Sequence, residues 1–312
     1  MSGPVALGFE ETYRACREGV VARVTTCDVV RVVGPDALSY LQSQCSQDLA
    51  ALGVGDSVES LLLNPQGHVD ALVRVARVAE DDAHVVVSAG FGDVVNDRLR
   101  RFKLRVKADL EQHTWPLVEL RGPRSASAVG PPTPLLLAIA VDWPGEFGVD
   151  LVGPGAAVPA GVDLGDERAF DAVRVEAGEP AMGVEISGRT IAQEAGLVAR
   201  AVSLTKGCYP GQELVARIDA RGDNVPKRLR GIVVAPASPD GGLTSVRPGS
   251  PVSVDGDVVG SLTSVAWSPR LATTIALGYV HRRAVPPLRG RVERPDGTLV
   301  ECEIVELPIA AP

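Results

Sequence analysis

The chain has 312 residues, a formal net charge of -8 at pH 7, and ordinary globular proportions of hydrophobic (45%) and charged (22%) residues. This composition excludes a largely disordered or fibrous protein, and the acidic balance argues against a chain that mainly coats nucleic acid or anionic membranes. The length predicts two large units, or one large unit with an appended module.

The amino terminus and the cysteines indicate the compartment. No window approaches the roughly 18 consecutive apolar residues of a membrane span, and acids stand where a signal peptide would be basic and then apolar. We therefore expect a cytoplasmic protein with no membrane partner. Five scattered cysteines without a C-x-x-C pair, and no histidine at ligand spacing, argue against a disulfide scaffold or a metal site. The four histidines are expected to be structural.

The first part of the chain predicts α+β layering. An apolar run at 29–33 precedes a helical pattern at 37–49. Turn residues at 64–67 then separate two extended segments, 57–63 and 69–75, as in a β-hairpin. A further strand and an amphipathic helix follow. Strands and helices in this order are typical of an α+β fold.

The second part of the chain changes in character near residues 224–226. Before this point, Asp166 predicts the N-cap of a helix that runs through Glu176. After it, several short strands at close spacing predict a small β-barrel or sandwich. We therefore divide the chain into an α+β region, 1–225, with subdomains of about 1–120 and 121–225, and a C-terminal domain, 226–312.

The most chemically diverse segment is 206–217, which reads K-G-C-Y-P-G-Q-E-L-V-A-R. It places an amine, a thiol, a phenol, an amide, a carboxylate and a guanidinium together, and its glycines and proline allow tight turns. Lys206 beside Cys208 would favour the reactive thiolate. The alternative is a packed cysteine beside a solvated lysine.

This segment resembles the K-G-C-Y-x-G-Q-E and V-A-R signature of the YgfZ-type folate-binding proteins, which are relatives of the glycine-cleavage T-protein. Further stretches resemble the same family: Gly34-x-Asp36-Ala37-x-x-Tyr40-Leu41-Gln42, Arg174-x-x-x-Gly178-x-Pro180-x-x-Gly183-x-Glu185, and Gln193-Glu194. Residues 260–281 are similar to the family's barrel. The resemblance extends from about Arg31 to about His281.

The resemblance implies a T-protein-like α+β folate-binding body, a small C-terminal β-barrel, and tetrahydrofolate as the cofactor. It also implies an accessory role in assembling or repairing iron–sulfur clusters, with assembly or client proteins as partners. Under this interpretation the candidate catalytic residues are Cys208, Lys206 and Tyr209.

The chemistry of folate selects candidate binding residues within the matching stretches. A pterin ring presents adjacent donors, for which a carboxylate is the natural acceptor, and the carboxylates of the folate tail require a cation. The candidates for the ring are Glu185, Glu176 and Glu194, and those for the tail are Arg174, Arg217 and Lys206.

One departure from the T-protein pattern concerns Asp70. The amine-transferring T-proteins have two adjacent aspartates after an early glycine turn, whereas Asp70 is followed by Ala71. This difference argues against glycine-cleavage aminomethyl transfer, although Asp70 stays a candidate for contact with the ligand.

Two other functions stay open at this point. One is a folate-dependent one-carbon transferase, either aminomethyltransferase-like or tRNA-modifying, and the other is a binding module that uses folate only for stability. A basic cluster near the cysteine could contact RNA, a partner protein or the folate tail, although the net charge disfavours tRNA. Its members are Arg217, Arg221, Lys227, Arg228 and Arg230.

Overall fold

A computed structural model describes residues 3–131, 136–222, 224–236 and 246–309 of the chain. It contains a seven-stranded antiparallel sheet and, toward the C-terminus, a closed antiparallel barrel of six strands. The predicted α+β class is confirmed, and so is the small C-terminal barrel. Among the described residues, no helix has the length and apolar character needed to cross a membrane.

The sheet and the helices around it form the first 222 residues. The strands are β1 (Val21–Val33), β2 (Ser57–Leu63), β3 (Val69–Ala79), β4 (Asp82–Ser88), β5 (Asp109–Arg121), β6 (Leu137–Trp143) and β7 (Glu146–Val152), in the order β2-β3-β4-β1-β5-β7-β6. The helices are α1 (Phe9–Glu18), α2 (Ala37–Gln44), α3 (Gly92–Phe102), α4 (Ser125–Ala128), α5 (Glu167–Ala177), α6 (Val198–Ala201) and α7 (Gln212–Asp219).

The barrel consists of β8 (Lys227–Val234), β9 (Pro251–Val254), β10 (Asp257–Ser268), β11 (Thr273–His281), β12 (Leu288–Glu293) and β13 (Leu299–Val305), in the order β10-β11-β8-β13-β12-β9. Its inward side chains form a separate apolar core around Ile232, Leu262 and Ile304. The closed arrangement leaves no unpaired strand at an edge of the barrel.

Strand β3 shows how the alternating sequence creates the two faces of the sheet. Ala71, Val73 and Val75 are buried in the main apolar core with residues of α2 and α3. Because side chains of a strand alternate between faces, Leu72 and Arg74 point to the opposite side. This second face carries the charged residues described below.

Helix α5 joins the sheet region to the barrel. The Asp166 carboxylate accepts a hydrogen bond from the Arg168 amide (2.9 Å), as a capping residue does, and Gly178 ends the helix with φ of +76°. These bounds agree with the predicted helix. Apolar residues of α1, α5 and three barrel strands share one core, so α5 fixes the position of the barrel.

A buried histidine lies on β4, on the second face of the sheet. His84 has no solvent exposure, and neither ring nitrogen has a hydrogen-bond partner among the described residues. Its ring meets Trp115 edge-on, and its Nε2 lies 3.4 Å from the Asp82 carboxylate. Burial lowers the pKa of His84; Asp82 opposes this shift, whereas Arg31 and nearby His113 add to it.

We predict that His84 makes the fold sensitive to mild acid. The unfolded chain takes up a proton near the ordinary histidine pKa of about 6.5, whereas folded His84 resists protonation. Stability should therefore be fully present above this pH and decline as the pH falls toward 5. Thermal melting at pH 7.5 and 5 should show a smaller decline for His84→Leu than for the wild type. Equal declines would contradict the prediction.

Candidate functional site

The second face of the sheet borders a cavity of about 280 Å³, which we call the sheet cavity. Apolar groups, including Leu72, Val86, Leu117, Trp143 and Met182, form much of its wall. Its volume is at the lower end of the roughly 300–1,000 Å³ of small-molecule pockets. The cavity therefore suits a bicyclic ring better than a whole folate molecule.

A chain of four charged residues runs along one side of the sheet cavity, and three of them, Arg74, Glu59 and Glu179, border it. The Arg74 guanidinium lies 3.8 Å from the Glu59 carboxylate. Glu59 also forms an ion pair with Arg200, whose Nε lies 3.0 Å from the carboxylate. The same guanidinium then donates to both carboxylate oxygens of Glu179, at 2.6 and 2.7 Å. Burial raises the pKa of Glu179, although Arg200 opposes the shift.

A second charged group forms the opposite wall, on β1, β5 and β7. Arg121 donates to Glu119 (3.1 Å) and to Asp150 (2.7 Å), and its guanidinium stacks over the Trp143 ring at 4.7 Å. Glu119 also pairs with Arg23. Burial acts to raise the pKa of Glu119, but the two arginines outweigh it and lower this pKa.

A second cavity, of about 260 Å³, lies between the end of α5, the turn at 193–196 and strand β8. We call it the barrel cavity. It shares Glu179 and Pro180 with the sheet cavity, so these two residues stand between the two spaces. Glu194 borders it, and burial raises the pKa of this carboxyl group against the effect of Lys227.

Two of the three glutamates predicted to bind the pterin ring are engaged within the protein. Glu185 accepts hydrogen bonds from the Ala181 amide (3.0 Å) and the Ser264 hydroxyl (2.6 Å). The Glu176 carboxylate accepts a hydrogen bond from the Tyr13 hydroxyl (2.9 Å) and forms an ion pair with Arg17. The contacts of Glu176 join α5 to α1, and those of Glu185 join the segment after α5 to the barrel.

The predicted tail-binding arginines lie in different places. Arg174 borders the sheet cavity, and its guanidinium donates to the Glu179 carbonyl (2.9 Å) and the Ser264 hydroxyl (2.9 Å) and lies 3.4 Å from Glu185. Arg217 is exposed on α7. The structure therefore brings Arg174 and Glu185 together, whereas Arg217 lies on the surface.

Asp70 lies at the start of β3, where the pairing with β2 is irregular, and it faces helix α3. Its carboxylate is 3.6 Å from Nε of Arg98, which is itself held by Gln44 (3.2 Å) and the Leu63 carbonyl (3.1 Å). Burial raises the pKa of Asp70, and Arg98 opposes this.

Cys208 differs from the other cysteines in its exposure. All five cysteines lie in the described ranges, and Cys208 is the exposed one. Burial raises the pKa of the Cys16, Cys27 and Cys302 thiols to about 12 and that of Cys45 to about 11. Since the thiolate is the reactive form, these four are poor nucleophiles at neutral pH.

The loop that carries Cys208 is tied to the end of α2 by Lys206. The ammonium donates to three backbone carbonyls, those of Gln42 (2.6 Å), Cys45 (2.7 Å) and Gln47 (2.9 Å). Burial lowers the pKa of Lys206. An ammonium has three N–H donors, and these three hydrogen bonds use all of them. Activation of the Cys208 thiol by Lys206 stays a prediction.

The other side of the loop is fixed by packing. The Tyr209 ring is buried in an apolar cluster with Val215 of α7, and the Tyr209 amide donates to Gln212 Oε1 (3.1 Å). The turn before β3 needs Gly67, because its φ is +84° and a Cβ added there would lie 2.5 Å from the Leu214 side chain. Cys208 is therefore exposed on a well-supported loop.

Sequence reasoning missed the charged residues along the first side of the sheet cavity: Arg74, Glu59, Arg200 and Glu179. They belong to no motif, and the available signal was weak. Arg74 is a polar residue in an alternating strand, which places it on the same face as Leu72. In the part of the chain that the structure describes, no group of His, Cys, Asp and Glu side chains is arranged to hold a metal ion.

We predict that Lys206 stabilises the loop. Lys206→Met removes three charge-assisted hydrogen bonds and leaves carbonyls unpaired, so it should lower the free energy of unfolding by about 2–4 kcal/mol. The exposed Lys107→Met is the matched control and should change stability little. Chemical denaturation measures both. A loss below about 0.5 kcal/mol in Lys206→Met would show that the ammonium is not a structural tether.

Comparison with known proteins identifies both parts of the chain. Residues 5–135 match the GCVT N-terminal domain, and residues 227–310 match the glycine cleavage T-protein C-terminal barrel domain. An uncharacterized protein of Haemophilus influenzae is 27% identical over 208 residues, covering 64% of this chain and 69% of that protein. An aminomethyltransferase of Streptomyces avermitilis is 29% identical over 318 residues, covering 89% and 83% of the two chains.

A solved structure shows the same fold. The crystal structure of the glycine cleavage system aminomethyltransferase T from Bartonella henselae superposes with a TM-score of 0.78, at 21% identity, over 97% of this chain and 90% of that one. The two domain matches together cover more than half of the chain. The chain is therefore a homologue of the aminomethyltransferases, within the glycine-cleavage T-protein superfamily.

Proposed function

We propose that this protein is a YgfZ-type, tetrahydrofolate-binding accessory protein for the assembly or repair of iron–sulfur clusters, with Cys208 as its reactive residue. The observation that carries the proposal is the exposure of Cys208 on a supported loop, while the other four thiols are buried. The folate part rests on homology with the aminomethyltransferases. We further propose a cytoplasmic location.

The sheet cavity suits the ring of tetrahydrofolate. Its apolar side chains provide flat contact, and the carboxylates of Glu59 and Glu179 provide acceptors for ring N–H groups. Arg74, whose ion pair with Glu59 is long at 3.8 Å, is a cation that can turn toward a ligand oxygen. When bound, tetrahydrofolate supplies ring nitrogen atoms that carry one-carbon units.

Cys208 would act on a partner protein and not on the ring. It lines none of the cavity walls described above, and a single cysteine cannot hold a stable cluster, which needs about four ligands. We therefore propose transient contact with an assembly or client protein. Arg217 lies on α7, and Lys227, Arg228 and Arg230 lie on β8. We propose that this basic cluster, together with Arg221, binds an acidic partner; tRNA is less favoured.

The alternative is a folate-dependent one-carbon transferase. The homology with proteins named as aminomethyltransferases favours it. The single acid of Asp70, followed by buried Ala71 on the other face of the strand, disfavours aminomethyl transfer. A transferase would consume a one-carbon folate in the presence of substrate and would lose rate in Asp70→Asn.

We predict that the wild type binds tetrahydrofolate with micromolar affinity, about -8 kcal/mol, by calorimetric titration. Leu72→Trp fills the sheet cavity and should weaken binding at least tenfold. Val285→Trp, on an exposed barrel loop, is the matched control. Unchanged affinity in Leu72→Trp would exclude the sheet cavity as the ring site, and no binding by the wild type would contradict the folate assignment.

We predict that Cys208→Ser binds tetrahydrofolate like the wild type but fails to restore iron–sulfur enzyme activities in cells that lack the protein. The expected loss is severalfold or more, because a hydroxyl cannot replace a thiolate toward a partner. Cys302→Ser, a buried barrel cysteine, serves as a comparison for general effects of losing a thiol. If Cys208→Ser fully restored these enzyme activities, the assignment of Cys208 as the reactive residue would be wrong.

A further inference from the structure

We propose that residues 100–107, which end helix α3 and lead to strand β5, form a docking surface for an acidic protein that places an apolar side chain against Leu104. We call this surface the basic turn. Its residues differ from those of the basic cluster on α7 and β8, and the docking surface itself rests on neither folate nor Cys208.

The basic turn is strongly positive within an acidic chain. Six of the ten residues from 98 to 107 are Lys or Arg and none is acidic, whereas the whole chain has a net charge of -8. Arg98 is buried and faces Asp70, so it does not belong to the surface. Arg100 and Arg101 lie in the last turn of α3, where the helix dipole favours cations.

Three further cations lie beyond the end of the helix, where the dipole does not explain them. They are Lys103, Arg105 and Lys107, of which the last two are exposed. In the described ranges of the chain, no carboxylate lies within ion-pair distance of these three side chains. Their charges are therefore available to an acidic partner.

Leu104 lies in the middle of these cations. Its exposed fraction of 82% is the highest among the large apolar side chains of the described residues. A single exposed leucine is common on protein surfaces, but this one is surrounded by cations on a supported turn. A partner that carries both acids and an apolar residue would use the whole surface.

The backbone of the basic turn is held on both sides of Leu104. The Phe102 ring lies under the Arg98 guanidinium at 4.1 Å, and Val106 packs against the main apolar core. The Lys107 amide donates to the Asp36 carboxylate (2.8 Å), and its carbonyl accepts from the Asp36 amide (3.3 Å). A surface that is fixed in advance loses little entropy when it binds.

Arg105 has an unusual backbone conformation. Its φ is +58°, in the left-handed region that favours glycine. Such strain persists where the surrounding structure imposes it, and it collects at functional sites. An arginine at this position favours a role for its charge, because a turn alone would be made more easily with glycine.

The surface fits a protein better than RNA or a membrane. Phe102 is the one aromatic residue of the segment 98–107, and it is half-buried under Arg98, so it offers no face for stacking on a base. The net charge of the chain repels tRNA or an anionic bilayer more than a short acidic segment. One leucine also adds little to membrane binding.

The basic turn and the Cys208 loop are attached to opposite ends of helix α2. Lys107 pairs with Asp36 at the start of the helix, and the Lys206 ammonium binds the Gln42 carbonyl at its end. The eight residues of α2 span about 12 Å, which a small protein covers easily. That the docked protein is also the partner of Cys208 rests on the proposed function.

The test uses two synthetic peptides. The first has one leucine between two runs of glutamates, and the second has serine in place of the leucine. Fluorescence polarisation measures binding at about 50 mM salt, where screening is modest. Wild type should bind the leucine peptide at least threefold more tightly than the serine peptide. Lys103→Glu combined with Arg105→Glu should weaken the leucine peptide at least tenfold, because two attractive charges become repulsive.

Two single variants separate docking from folding. Leu104→Ser should bind both peptides equally, because the apolar contact is lost on the protein side. Arg105→Gly should weaken the leucine peptide at least threefold without lowering the melting temperature, since glycine adopts a positive φ without strain. The matched control is Arg14→Glu combined with Arg289→Glu, which changes the net charge equally at exposed arginines of α1 and β12. It should weaken binding less than threefold.

Three results would overturn the inference: a wild type that does not bind the leucine peptide, a wild type that binds both peptides equally, and a Lys103→Glu, Arg105→Glu protein that binds like the wild type. Unfractionated tRNA and phosphatidylglycerol vesicles are titrated in parallel. If either one binds through these two residues while the peptide does not, the partner is not a protein and the inference is wrong. None of these measurements involves folate or Cys208, so each result leaves the proposed function standing.

Discussion

The buried contact between Arg174, Glu185 and Ser264 fixes the geometry on which the rest of the site depends. It joins the end of α5 to strand β10 of the barrel, and the same guanidinium holds the Glu179 carbonyl. A buried ion pair adds little net stability, yet removing one partner leaves an uncompensated charge and costs about 3–5 kcal/mol. The contact therefore acts mainly as a positional constraint, which fixes the turn that borders both cavities.

The structure separates the sheet cavity, which is the proposed ring site, from the exposed thiol. The sheet cavity lies at the second face of the sheet, whereas the Cys208 loop is supported at the turn end of the β2–β3 hairpin and at the end of α2. The hairpin is the shared element, since Leu72 borders the cavity and also packs against the cluster that contains Tyr209. A protein of this design can bind a small molecule and present a cysteine to another protein without using one site for both.

Much of the fold follows from local patterns in the sequence. The alternation of β3, the turn at 64–67 and the helix between Asp166 and Gly178 were all predictable, because each depends on residues within a few positions of each other. The resemblance also located the segments that matter, since Glu185, Arg174 and Glu194 all lie near the two cavities. It did not distinguish a carboxylate that binds a ligand from one that holds the fold together.

The sequence by itself determined the α+β class, the C-terminal barrel, the superfamily and the unusual chemistry of the 206–217 segment. Only the tertiary structure decided that the Lys206 ammonium binds three carbonyls and that Glu176 and Glu185 are engaged internally. It also brought Glu59 and Arg200 together across more than a hundred positions of chain. The physical reason is that secondary structure depends on short-range periodicity, whereas the partner of a buried charge is set by packing between distant segments.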